Sequence, residues 1–553
     1  MPINSRFATP LPEETIPTWL FGSPTDTLPE TPLIIDAANP ERFLSMSSYR
    51  RQAQRFARGL LDAGFQPGDA VLFVNLNNLA CPIIYMGTWM AGGRCTGTYA
   101  SVPFEHVARL MEDSECRFLL ADEKSYHKCV EALGSSSAVE RVFLIDDGLL
   151  FDPAPGKVGS QGRPTWSRFL GLETQGENFD WRRHCSDADQ IACLNYTSGS
   201  TGPPKGVIMT HRTILASCVA HLAMQRSDPD EVEWVKQAIW LTWTPIVFPL
   251  TLLQAVINAP HRSIRNYVMP GIDISLATKH IAKYRPTQLV FSPAMARDFL
   301  NHPDVRNTDL SSVTSLDVGG QALPRALKEQ LQGTFVNAKV LTSFGMTETG
   351  AFALAQSRID KDTSWFTGEI LANFSAKIMS LDGNQELDAN ERGHLWLRGP
   401  AVTKGYWKRA DTTSKNLTAD GWLKTGDLAY FRDDGKICVL DRVEYRTQNV
   451  IQTSDQVVPF EVESAIMEIP GVQEAVVVGV RSNLNNPTSE PRAFVTIRKD
   501  SSITAQDITQ ELKERLDESQ QVSGGVFVLP AMPKLAVKID RQALRVMDVR
   551  GLS

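Results

Sequence analysis

The sequence predicts an α/β protein, with a large N-terminal layered α/β domain followed by a small C-terminal α+β domain. Three observations carry this. Segments of helical period alternate with short apolar runs of strand type. At 553 residues the chain is too long for one compact core. From about residue 459 the alternation starts afresh.

In chain order, Ser47 or Ser48 is positioned to cap a helix with Tyr49, Ala53, Phe56 and Leu60 on one face. The turn GFQPGD then leads into the strand-like AVLFVNL. The Gly/Pro/Ser-rich stretch at 151–166 reads as a surface loop. Strand-like Ile191 to Tyr196 and Gly206 to Met209 flank a polar loop, and Thr210 caps a helix bearing Ile214, Leu215, Cys218, Val219 and Leu222 on one face. Residues 238–260 carry no charge and are long enough to span a bilayer. Three prolines, three threonines, Gln254 and Asn258 would need partners in lipid, so a buried segment lining a pocket is expected and no membrane span. ISLATKHIAKY forms a helix before Pro286 and the strand QLVFS. Beyond the tight turn RDDGK, PFEVESAIMEI and ITQELKERL read as helices, EAVVVGV and AFVTI as strands. The boundary is set after Leu440, giving domains 1–440 and 441–553.

Composition excludes several classes. Hydrophobic residues at 42% and charged residues at 22% are those of a globular chain, not a disordered one. A formal charge of -7 without a Lys/Arg-rich run gives nucleic acid no surface to bind. The eight cysteines show no CxxC pair and no His at metal spacing, which reads as reduced, buried thiols in an intracellular protein. With no apolar leader and no Ser-Lys-Leu ending, the expected location is cytoplasmic.

The chemistry concentrates in NYTSGSTGPPKGVIMTH, from Asn195 to His211. A Walker A loop would place Ser or Thr after the lysine and enter a helix directly; here two prolines precede Lys205 and a strand follows. What remains are the hydroxyls of Thr197, Ser198, Ser200 and Thr201, the glycines Gly199 and Gly202, and the charge of Lys205: a clamp for polyphosphate. By composition alone, a Ser/Gly-rich surface turn is the plainer alternative.

The wording TSGSTGPPKG resembles the phosphate loop of the adenylate-forming superfamily, which includes acyl-CoA synthetases, coumarate-CoA ligases, peptide-synthetase adenylation domains and luciferases. Further motifs follow in that family's order. DVGGQALP, with Gly319, Gly320 and Gln321, resembles the strand end that walls the adenine and the acyl pocket. TSFGMTETG supplies Ser343, Phe344, Gly345, Met346, Thr347 and Glu348; the resemblance implies Phe344 near the adenine, Thr347 on phosphate and Glu348 as the Mg²⁺ ligand. In GWLKTGDLAYFRDDGKICVLDR, Asp427 would accept the ribose hydroxyls and Arg442 would donate to them.

The resemblance implies an ATP-dependent acid-thiol ligase. A carboxylate attacks the α-phosphate of Mg-ATP, pyrophosphate leaves, and a thiol, usually that of CoA, takes the acyl group. It also implies a mobile C-terminal domain carrying a catalytic lysine, here Lys538 in PKLAVKIDR, with Lys534 as the second candidate. That segment is shorter than the family's and has Val537 where glycine is usual; the hinge loop after Arg442 is longer, with Thr453 and Ser454 in place of lysine and glycine. A carrier-protein thiol therefore stays open as the acceptor, as does a nucleotide-binding module without catalysis. Trp243, Ile246, Val247 and Phe248, with Gly319, are expected to wall the acyl pocket. With no Asp to pair an amine, that wall would penalise an ammonium by several kcal/mol, so an apolar carboxylic acid, aliphatic or aryl, is expected.

Overall fold

Ala70–Val74 is buried at every position, which requires a strand covered on both faces. In the computed structural model, which describes residues 2–134, 142–146, 163–170, 176, 179–197, 204–362, 364–442, 457–480, 490–498, 500–517, 520–535 and 538–549, it lies inside a mostly parallel sheet. The strand order there is Val142–Leu144, Cys116–Ala121, Ala70–Val74, Arg94–Thr98, Ile191–Thr197 and Lys205–Thr210, with only the last pair antiparallel. The helix Met46–Asp62 packs on this layer through Tyr49, Ala53, Phe56 and Leu60, as the period requires. Its cap is Ser45, whose side chain accepts from the Ser48 N–H, and not Ser47 or Ser48: Ser48 already sits in the first turn and returns its hydroxyl to the Ser45 N–H.

A second sheet is parallel through Lys339–Phe344, Ser315–Val318, Gln288–Phe291, Ile239–Thr242, Arg265–Val268 and Ile34–Asp36. One face is sealed by the helices Ile274–Tyr284, Pro293–Asn301 and Arg325–Thr334 around Phe291, Phe299, Leu316 and Val318. The other faces the helix His211–Gln225, which starts at Thr210 in a reciprocal capping box with Thr213. A five-stranded antiparallel sheet, Ile3–Asn4, Ser375–Met379, Gly393–Arg398, Leu423–Phe431 and Ile437–Arg442, completes the large region.

After residue 456 the described chain builds a separate core. Val472–Val480 pairs antiparallel with Glu490–Ile497, which pairs parallel with Val526–Val528, and the helices Pro459–Met467 and Ala505–Arg515 cover one face through Val462, Ile466, Ile508 and Leu512. It touches the large region through Arg297 and Glu474, 3.5 Å apart, and through Arg392 and Glu461 at 2.7 Å. Residues 238–260 form a strand, a loop and short helical turns, and among the described residues no helix is long and apolar enough to cross a membrane. All eight cysteines are free, and only Cys116 is more than slightly exposed.

Helix Met46–Asp62 approaches its neighbour at Gly59, where a β-carbon would sit 1.9 Å from the Phe169 carbonyl oxygen. Backbone cannot yield as a side chain would, so Gly59→Ala should destabilise by about 1–3 kcal/mol. A lowered urea or thermal midpoint checks this; an unchanged midpoint would mean the two elements separate freely.

Candidate functional site

The parallel strands Ser315–Val318 and Lys339–Phe344 end at the same level, with Val318 opposite Thr342, so both carboxyl ends open onto one crevice. Gly319 continues the first strand, and a β-carbon there would lie 2.9 Å from Ser343 Oγ. Gly320 follows at φ +85°, a left-handed conformation glycine adopts without strain, and both it and Gln321 are exposed at the rim. On the second strand Phe344 is half-buried, and Gly345 has no room for a side chain: its β-carbon would meet the Ala351 carbonyl oxygen at 1.7 Å. The chain then turns through Thr347–Thr349, held by the Thr349 hydroxyl, which lies 3.1 Å from the Met346 N–H and 3.0 Å from the Met346 carbonyl oxygen. Close packing of backbone thus sets the direction in which Met346, Thr347 and Glu348 leave the sheet.

Glu348 is 6% exposed. Burial pushes its carboxyl above the ordinary range; the Tyr406 hydroxyl, donating to Oε1 at 2.8 Å, and the charge of Arg442 pull it back, while Asp427 pushes it up. The Tyr406 phenol is itself raised by burial and by Glu348. Tyr406 belongs to a segment that does two things at once. The Thr403 N–H donates to the Glu348 carbonyl at 2.7 Å, while the Ile208 N–H donates to the Gly405 carbonyl at 3.0 Å and the Trp407 N–H to that of Gly206 at 2.7 Å. The strand carrying Lys205 is therefore tied to the turn carrying Glu348.

Thr197 and Lys205 are opposite one another in the hairpin register, so the polar loop leaves and returns at one point. Ser198, Gly199, Ser200, Thr201 and Gly202 lie outside the described residues. Asp427 and Arg442 face each other across antiparallel strands, with Arg442 Nη1 3.1 Å from Asp427 Oδ2 and 3.0 Å from the Thr425 carbonyl. Their strands bring both within electrostatic reach of Glu348.

The proposed acyl wall divides. Ile246 and Val247 are buried in the main core; the Ile246 N–H donates to Asn77 Oδ1 at 2.8 Å, and Phe248 meets Tyr99 edge-on. Trp243 points the other way. Its ring packs against Phe291 and Phe299 under the helices of the second sheet, and its Nε1–H donates to the Val290 carbonyl. Trp243 is thus a core residue, which corrects the expectation that it walls the pocket: a large ring with one donor found a buried partner on the opposite face. Lys534 and Lys538 lie in a two-stranded hairpin, Lys534–Leu535 with Lys538–Ile539, of the C-terminal region; their side chains are outside the described residues. Just beyond, Arg541 pairs with Glu463 at 2.7 Å and so fastens the hairpin's exit to the first C-terminal helix. Tyr406 and Thr403 were not legible in sequence, because their link to Glu348 spans more than fifty residues and has no local period.

The AMP-binding enzyme family matches residues 25–407, and the AMP-binding enzyme C-terminal domain matches residues 461–537. The chain is 25% identical to 4-coumarate-CoA ligase 4 of Arabidopsis thaliana over 95% of its own length and 90% of that protein's. It is 26% identical to a phenylacetyl-CoA ligase of Aspergillus niger over 95% of both chains. Among solved structures, the anthranilate-CoA ligase AuaEII in complex with anthranoyl-AMP superposes with a TM-score of 0.82 at 20% identity, covering 97% of each chain. ATP-bound MatB from Rhodopseudomonas palustris gives 0.80 at 22% identity, covering 96% of this chain and 98% of that one. The chain belongs to the AMP-binding enzyme family, as an acid-thiol ligase of its acyl-CoA and aryl-CoA ligase branch.

Proposed function

We propose that the protein joins a carboxylic acid with a largely apolar body to the α-phosphate of ATP and then passes the acyl group to CoA. The observation that carries this is the buried Glu348, anchored by Tyr406 and tied through residues 403–407 to the strand of Lys205. In the first half-reaction a substrate carboxylate oxygen attacks the α-phosphorus and pyrophosphate leaves. Lys205 and the hydroxyls of residues 197–201 hold the β- and γ-phosphates, and Thr347 holds the α-phosphate. Phe344, with Gly319, Gly320, Gln321, Ser343, Gly345 and Met346, forms the adenine wall, and Asp427 with Arg442 holds the ribose. Lys538 neutralises charge on the phosphate under attack. Ile246, Val247 and Phe248 with Gly319 enclose the body of the acid.

The site suits Mg²⁺. Among the described residues no group of three or more His, Cys, Asp or Glu could form a protein-only cage, and a magnesium ion needs none when one carboxylate, phosphate oxygens and water complete its shell. Glu348 would hold it, and the ion would supply charge neutralisation on the phosphates. In the second half-reaction the CoA thiol attacks the acyl carbon and AMP leaves. The near full-length match to CoA ligases supports CoA over a carrier domain. We assign residues 1–440 and 441–553 to the two domains and infer that the smaller one turns between half-reactions, releasing the contacts of Glu474 with Arg297 and of Glu461 with Arg392.

Acid-dependent pyrophosphate exchange tests the assignment. Glu348→Gln should lower it on the order of 100-fold or more with the fold retained by circular dichroism; full exchange in this variant removes Glu348 from the site. Only the charged carboxylate serves, so activity falls as pH drops through the raised Glu348 value. Tyr406→Phe deletes a hydrogen bond that favours the charged form, and the acid limb of the pH profile should move to higher pH; a limb that stays put or moves down contradicts the role given to Tyr406. Gly345→Ala should abolish exchange while ordinary surface substitutions nearby do not, since its β-carbon would displace the Ala351 backbone.

A further inference from the structure

Between its pairings of His394 with Leu428 and of Trp396 with Lys424, the strand Gly393–Arg398 has the single residue Leu395, whereas its partner Leu423–Phe431 has Thr425, Gly426 and Asp427. The excess makes a bulge, which takes side chains out of the regular alternation of a strand. Asp427 comes to the crevice beside Arg442 as the last residue of this bulge. Bulged residues lose ladder partners, so their backbone groups need others. The Asp427 N–H donates to Thr425 Oγ1 at 3.0 Å, the Thr425 hydroxyl donates to the Leu395 carbonyl at 2.8 Å, and the Thr425 carbonyl accepts from Arg442 Nη1 at 3.0 Å. The Gly426 N–H donates to His394 Nε2 at 2.8 Å.

Thr425 and Asp427 hold one another from within the bulge, and His394 holds it from the neighbouring strand. Gly426 sits at φ +81°, and a β-carbon there would lie 2.9 Å from Arg442 Nη2, so the amide that meets His394 belongs to the residue over which the guanidinium is folded. To accept at Nε2 the imidazole must be neutral, with its proton on Nδ1. Burial, joined by repulsion from Arg442 and Lys424, draws its value down to about 4, which keeps the acceptor in place throughout the neutral range. The Trp396 ring stands edge-on to the imidazole with centroids 6.1 Å apart and bounds it on one side. Without that acceptor the Gly426 N–H would favour a different course of the bulge, and Asp427, the next residue, would move with it.

We propose that His394 is a positioning residue for the nucleotide sugar: by accepting the Gly426 N–H it fixes the bulge in the form that aims the Asp427 carboxylate at the ribose hydroxyls. The inference rests on the ribose assignment of Asp427 and deepens it. The test is equilibrium binding of AMP and of 2′,3′-dideoxy-AMP to the full chain by titration calorimetry, with pyrophosphate exchange measured alongside. The wild type should bind AMP about thirtyfold or more tightly than the dideoxy nucleotide. His394→Phe keeps a ring without the acceptor, and His394→Leu is the second variant should the first fold poorly. Each should bring that ratio to within about threefold by weakening AMP alone; in exchange each should raise the KM for ATP by about tenfold and leave kcat within about threefold. His394→Gln, whose amide oxygen can stand where Nε2 stands, should keep the ratio. Phe and Leu variants that retain the ratio, or that weaken both nucleotides equally, overturn the proposal, and so does a Gln variant that loses as much as Phe. Asp427→Ala separates this from the reading beneath it. A ratio that persists in Asp427→Ala removes the ribose assignment itself, whereas a ratio lost there and kept in His394→Phe removes only the role of His394.

Discussion

A carboxylate buried against a phenol and within electrostatic reach of a guanidinium is the constraint around which this site is arranged. Removing Glu348 from water favours its protonated form, and the fold opposes that with the Tyr406 hydroxyl and the nearby guanidinium of Arg442. Neither partner is local. Tyr406 arrives from a segment that crosses the Lys205 strand, and Arg442 from the last strand of the antiparallel sheet. The cost of burying one side chain thereby couples three parts of the large region.

Around this centre the layers have separate tasks. The parallel sheet opens its strand ends at the crevice, with glycine at 319 and 345 where backbone passes backbone or side chain too closely for a β-carbon. The antiparallel sheet delivers the Asp427–Arg442 pair by cross-strand register, so the spacing of these two side chains is set by the ladder and not by their own flexibility. The C-terminal core meets the large region at Asp441, whose Oδ2 accepts the Phe460 N–H at 3.1 Å, and at the half-buried stack of Trp365 and Phe460. The Arg297–Glu474 and Arg392–Glu461 pairs join the same two regions.

Local features were readable wherever a periodic pattern met its cap. Thr210 begins its helix with the reciprocal capping box, and the helix Ile274–Tyr284 ends before Pro286, because capping and proline chemistry act within a single turn. The helix Met46–Asp62 shows the limit of such reading: Ser47 or Ser48 was expected to cap it, and the backbone geometry places the cap at Ser45. Trp243 shows another. An apolar strand end has two faces, period alone does not say which faces the ligand, and the aromatic ring chose the side holding Phe291 and Phe299.

By itself the order of residues determined the family and the layered α/β class, because hydroxyls, glycines, a lysine and apolar runs act over a few positions and bear their signatures wherever the chain goes. Only the tertiary structure decided that Tyr406 steadies Glu348, that Trp243 packs among Phe291 and Phe299, and that Gln288 and His221 line one cavity. Those outcomes depend on which distant segments share a small volume of low dielectric, and burial, unlike spacing, is a property of the packed whole.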